Sequence, residues 1–197
     1  ATASCVNHGI RGGGEAERAR ANAAFAELPL VIRAAAGGIR ITDSCSGFTS
    51  RFIVGYAHRG GPLCIREGRV GRAVIWHECA HPHYHTLSRE ACEEWEAIVP
   101  EELFRGHGVN IAVPGTYPSC GIITSYGGVG PGENYAEWVT WLMHYLRGYG
   151  AEYGKVDMAC VDRSDARYSR IIMFFRDHGV ITEAEFARVL PLFSHCP

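Results

Sequence analysis

The segment WHECAHPHYH, residues 76–85, carries four histidines and one glutamate in ten positions. On a helix, His77 and His81 lie on one face and one turn apart, so both imidazoles can bind the same ion. Glu78 places a carboxylate beside them, in the order HExxH, where it can take a proton from a water molecule. Zn²⁺ accepts nitrogen and oxygen ligands and lowers the pKa of a bound water to roughly 7. The spacing predicts a zinc site with its own base.

HExxH also occurs by chance on surface helices rich in histidine and glutamate. The flanking residues argue against that alternative here, because they are apolar and predict a buried helix: Val74, Ile75, Trp76 and Ala80. Burying two histidines and a glutamate is costly unless a partner satisfies them, and a metal ion would do so.

His83 and His85 follow Pro82, which cannot donate a hydrogen bond to the Glu78 carbonyl and tends to kink or end a helix. We therefore expect both histidines at the surface or at the rim of the site.

A catalytic zinc site needs a third protein ligand. Glu133 and Glu137 are four apart in a predicted helix within residues 124–146, so one can bind the metal while the other hydrogen-bonds a ligand imidazole. Glu133 also fits a simpler role, a first-turn carboxylate that complements the helix dipole. Glu137, Asp157 and Asp162 stay open as alternative third ligands.

Tyr126, Glu133 and Glu137 stand in the stretch SYGGVGPGENYAEW. This pattern resembles that of the anthrax lethal factor-like zinc peptidases, which include the Pro-Pro endopeptidases. In that family a tyrosine precedes the metal-binding glutamate by seven residues, and a second glutamate follows four later. The upstream stretch ELPLVIRAAAGGIRIT is similar to the family's helix, glycine turn and first strand, so the likeness covers roughly residues 28–146.

The resemblance implies a zincin-like fold and a division of roles. Glu78 would be the general base, the Tyr126 hydroxyl would support the developing oxyanion, and Glu137 would hydrogen-bond a metal ligand. The implied zinc ligands are His77, His81 and Glu133.

The remaining pattern predicts one α+β domain over 1–197. A helical stretch divided at Pro29 precedes three short runs, IRIT, RFIVGYAH and PLCIRE, which predict a small mixed or antiparallel sheet against the HExxH helix. The predicted order continues with an acidic helix capped by Ser88 and a long connection over 105–132. It ends with the ligand-bearing helix, which stops at Gly148, and two more helices near 164–178 and 182–191.

The eight cysteines are scattered along the chain without a CxxC pair. Such a set predicts about four disulfides in an exported protein, with Cys5 and Cys196 tying down the termini. The alternative is a cytosolic enzyme with eight reduced thiols. The chain opens without a charged and apolar leader, as a mature secreted protein would.

The formal net charge of −2 does not favour a nucleic-acid partner. No stretch approaches the roughly 18 consecutive apolar residues of a membrane-spanning helix, so we expect no membrane partner. The sequence therefore predicts a secreted zinc endopeptidase that acts on a protein or peptide and needs no other cofactor. The alternative is a secreted zinc-binding or host-interaction protein of the same fold without peptidase activity.

Overall fold

The computed structural model of the chain describes residues 9–48, 53–57, 62–104, 117–151 and 156–194. In these residues it contains seven α-helices and one four-stranded mixed sheet, which confirms the α+β class. The chain divides into two compact units, Ala1–Thr86 and Leu87–Pro197. The expectation of a single domain over 1–197 stays a prediction.

In the part of the first unit that the structure describes there are three α-helices, and two of them come from the stretch predicted to divide at Pro29. Helix α1 (Glu15–Ala26) and helix α2 (Leu30–Ala35) flank Pro29, which occupies the N-cap position of α2. Both pack against the third helix, α3 (Arg72–Thr86). The Trp76 indole N–H donates to the Ala24 carbonyl at 3.0 Å, which links α3 to α1.

The sheet of this unit contains β1 (Ile10–Gly12), β2 (Ile39–Ile41), β3 (Gly55–Ala57) and β4 (Leu63–Ile65), in the order β1-β2-β4-β3. The first three strands in that order pair in parallel, while β3 pairs antiparallel with β4. The three predicted runs each contain a strand, and α3 packs on β3 and β4 as expected. Strand β1 was not predicted.

Helix α3 continues through Pro82 to Thr86, so the helix does not end at the proline. The prediction for the histidines that follow is half right. His85 is exposed, but His83 is 7% exposed and therefore buried. Because the helix goes on for another turn, His83 stays on its packed side instead of entering a surface loop.

The described residues of the second unit form four α-helices. Their order agrees with the sequence analysis: α4 (Arg89–Ile98), α5 (Pro131–Leu146), α6 (Ala166–Asp177) and α7 (Glu183–Val189). Ser88 caps α4 by accepting the Ala91 N–H at 3.2 Å, as predicted. Buried rings from three helices pack together, with Trp95 of α4 against Tyr135 of α5 and Phe175 of α6. Much of the predicted connection, residues 105–116, lies outside the described residues.

The cysteines differ from the expectation of about four disulfides. Cys45 and Cys64 form a disulfide that links the segment after β2 to β4. Cys5 and Cys196 lie outside the described residues, and the remaining four cysteines are free thiols: Cys79, Cys92, Cys120 and Cys160. With four free thiols, the expectation of four bridges is wrong. None of the helices in the described ranges has the length and apolar character needed to cross a bilayer.

Candidate metal centre

The two histidines of HExxH face each other on α3, as the helical spacing requires. His77 Nε2 and His81 Nε2 lie 3.2 Å apart, and the two rings meet edge to face at 77°. A tetrahedral zinc ion with bonds of about 2.0–2.1 Å holds neighbouring ligand atoms about 3.3 Å apart. The observed distance between the two nitrogens matches this ligand-to-ligand distance, and it is also the length of an N–H···N hydrogen bond.

Glu78 lies between the two histidines in sequence and is 8% exposed. Its side chain lies against β3, where it fills the space that a side chain at residue 55 would need, and residue 55 is a glycine. Next along the helix, burial raises the pKa of the Cys79 thiol, and the Glu78 carboxylate raises it further. Cys79 is therefore held as a neutral thiol in the core.

Glu133 occupies the first turn of α5, and the sequence explains why a helix begins there. Gly130 is the N-cap, and Pro131 takes the first helical position, where its missing N–H costs nothing. The Asn134 N–H then bonds to the Gly130 carbonyl at 2.9 Å and closes the first turn. Glu133 is half-buried.

Glu137 is one turn further along α5 and is bound by a residue that the sequence analysis did not single out. Thr124 Oγ1 donates to Glu137 Oε2 at 2.6 Å and accepts the Gly127 N–H at 3.0 Å. Thr124 and Glu137 are each 7% exposed. The threonine thereby attaches the turn 124–127 to α5, and no local sequence signal marks this bond, because the two residues that it joins are 13 apart.

Tyr126 lies in that turn and is 43% exposed. Its carbonyl accepts the Val129 N–H at 3.0 Å, which closes a short 3₁₀ turn directly before α5. The backbone of Tyr126 is thus fixed by two neighbouring hydrogen-bonded turns, while its ring remains accessible to solvent.

His77, His81 and Glu133 form a group that could hold a metal ion, because one ligand atom from each lies within 4.8 Å of the others. The donor set, two imidazole nitrogens and one carboxylate oxygen, is one that catalytic zinc sites use with a fourth position open. The residues present therefore fit a zinc ion in their chemistry and in the spacing of the two imidazoles.

The alternative third ligands have other partners. Glu137 accepts the hydrogen bond from Thr124. Asp157 Oδ1 accepts the Ala159 N–H at 2.9 Å, and Asp162 Oδ1 accepts both the N–H and the hydroxyl of Ser164. Among the residues that the structure describes, only Glu133 joins the histidine pair in a group of this kind.

No protein-family model, no curated protein and no solved structure matches this chain. The class that the described residues define is therefore an α+β protein with a candidate metal centre of two histidines and one glutamate.

Proposed function

We propose that the protein is a secreted zinc-dependent endopeptidase. The observation that carries this proposal is the grouping of His77, His81 and Glu133 with a buried glutamate, Glu78, on the same helix as the two histidines. A donor set of this type with an adjacent carboxylate is suited to hydrolysis. The Cys45–Cys64 disulfide is consistent with an oxidising compartment and hence with export.

When bound, Zn²⁺ would supply a Lewis acid that polarises a carbonyl group and makes a water molecule more acidic. His77 and His81 would bind it through Nε2, and Glu133 through its carboxylate. The Glu78 carboxylate takes the proton of the attacking water and passes it to the nitrogen of the leaving amine. The Tyr126 hydroxyl donates a hydrogen bond to the substrate oxygen that gains negative charge.

The substrate would be an extended peptide bound along β3. In the described residues this strand pairs with β4 alone, so its other edge offers backbone groups to a further strand. Gly55 of β3 lies against Glu78, so a peptide paired with this strand would pass near the proposed base. A structure with a bound peptide that makes no main-chain pairs to β3 would contradict this mode of binding.

The test is digestion of a peptide library, read by mass spectrometry, with wild type beside Glu78→Gln. The glutamine keeps the shape of the side chain but cannot accept the proton, so cleavage should fall by about 10²–10⁴-fold while zinc stays bound. Glu67→Gln is the matched control, because Glu67 is an exposed carboxylate in the turn after β4. It should cleave like wild type.

Two results would contradict the proposal. Substantial cleavage by Glu78→Gln would remove the base from the mechanism. No cleavage by wild type, with one zinc ion tightly bound, would favour the zinc-binding or host-interaction protein that lacks peptidase activity.

A further inference from the structure

Gly55 stands in a strand for no conformational reason. It pairs with Ile65 across the antiparallel ladder of β3 and β4, and its φ lies outside the positive range that favours glycine. Glycine within a strand weakens it, because its backbone is freer in the unfolded chain and it has no side chain to pack. A specific close approach is therefore needed to explain this residue.

The close approach is that of Glu78. A Cβ atom built on Gly55 would lie 2.5 Å from Glu78 Cγ and 2.6 Å from Glu78 Cδ, and closer still to Oε1. Carbon atoms in favourable contact are about 3.5–4.0 Å apart, so a methyl group at residue 55 would have to displace the carboxyl end of Glu78 by about 1 Å. The backbone of β3 thus forms one wall of the space that this carboxylate occupies.

We propose that Gly55 is a positioning residue for Glu78: its missing side chain lets the carboxylate lie against β3 in the orientation that proton transfer requires. The consequence for catalysis rests on the proposed function, in which Glu78 is the base, whereas the steric relation between the two residues does not. The displaced atoms are the far end of a flexible side chain, so Gly55→Ala is expected to fold with Glu78 moved aside. A misplacement of about 1 Å can cost about 10²-fold in rate.

The catalytic arm measures kcat and KM for Gly55→Ala on a peptide found by the library digest. A displaced base lowers kcat by about 10²-fold with little change in KM. Gly71→Ala is the control, because nothing lies within 4 Å of a Cβ at residue 71. Glu78→Asp shortens the carboxylate by one methylene, so adding Gly55→Ala to that variant should lower kcat by less than tenfold. An equal loss in both backgrounds, or a loss confined to KM, would overturn the proposal.

The folding arm needs no activity and uses metal-free protein in urea. With Glu78 present, Gly55→Ala should lower the denaturant midpoint or leave it unchanged. With Glu78→Ala the steric conflict is gone, and the same change should raise the midpoint, because alanine suits a strand better than glycine. The same shift in both backgrounds would overturn the proposal. Should wild type cleave nothing, the proposed function fails, but the folding arm still decides whether Gly55 positions Glu78.

Discussion

The hydrogen bond between Thr124 and Glu137 allows a prediction whose size follows from the structure. Thr124→Val keeps the shape of the side chain but removes the 2.6 Å bond to the Glu137 carboxylate and the 3.0 Å bond from the Gly127 N–H. Hydrogen bonds to charged groups contribute about 1.5–3 kcal/mol and neutral ones about 0.5–1.5 kcal/mol. Because both side chains are buried, water cannot replace the lost bonds, and the free energy of unfolding should fall by about 2–4.5 kcal/mol.

The assay is urea unfolding, with Thr140→Val as the matched control. Thr140 is fully buried on α5, but its hydroxyl bonds only to the Ala136 carbonyl of the same helix, so the exchange should cost less there. Thr124→Ser should retain most of the stability because it keeps the hydroxyl. Equal losses for the two valine variants, or a change below about 0.5 kcal/mol for Thr124→Val, would refute the assignment of this bond as the anchor of the turn.

Two further predictions concern the first unit. Glu17 accepts the N–H groups of Gly68 and Gly14, and these bonds lower its pKa below the ordinary value of 4.5. The stability that Glu17 contributes is therefore complete above that value and is lost as the pH falls below it. In wild type the urea midpoint should thus fall between pH 5 and pH 3, and it should fall less in Glu17→Gln. The same fall in both proteins would contradict this prediction. The Cys45–Cys64 bridge closes a separation of 19 residues, so Cys45→Ala should lower the free energy of unfolding, measured in urea, by about 3 kcal/mol. A non-reducing peptide map that lacks the Cys45–Cys64 pair would exclude the bridge.

The elements that carry the candidate metal centre show clear local signals in the sequence. The helical spacing of His77 and His81 does not depend on the rest of the fold, and Pro131 with its preceding glycine indicates where the helix of Glu133 begins. The period-two pattern of IRIT likewise appears in β2, where Ile39 and Ile41 are buried and the arginine between them is exposed. In each case the residues of one element determine its form.

The features that were missed depend on partners distant in sequence. Strand β1 is a three-residue segment beside a glycine run, and it becomes a strand only by pairing with β2. Pro82 lacks one hydrogen bond, but packing of α3 holds the helix through it and buries His83. The pairing of Cys45 with Cys64 depends on the distance between β4 and the segment after β2, which cysteine counting does not contain.

The bond from Thr124 to Glu137 spans 13 residues. A hydrogen bond between Glu137 and a ligand imidazole stays a prediction beside the observed bond from Thr124. Likewise, Gly55 is 23 positions before Glu78 in the sequence, so nothing in the local pattern of β3 shows that the two residues meet.

The central claim is that His77, His81 and Glu133 bind one metal ion together, and zinc stoichiometry tests it most directly. Purified protein dialysed against buffered zinc should retain one ion per chain. Removing a residue that hydrogen-bonds a metal ligand typically lowers metal affinity by about 10–100-fold. Glu133→Ala removes a ligand itself, so its zinc affinity should fall by at least about 100-fold. Glu67→Gln should bind zinc like wild type. Zinc that binds Glu133→Ala as tightly as wild type, or wild type that retains none, would contradict the claim.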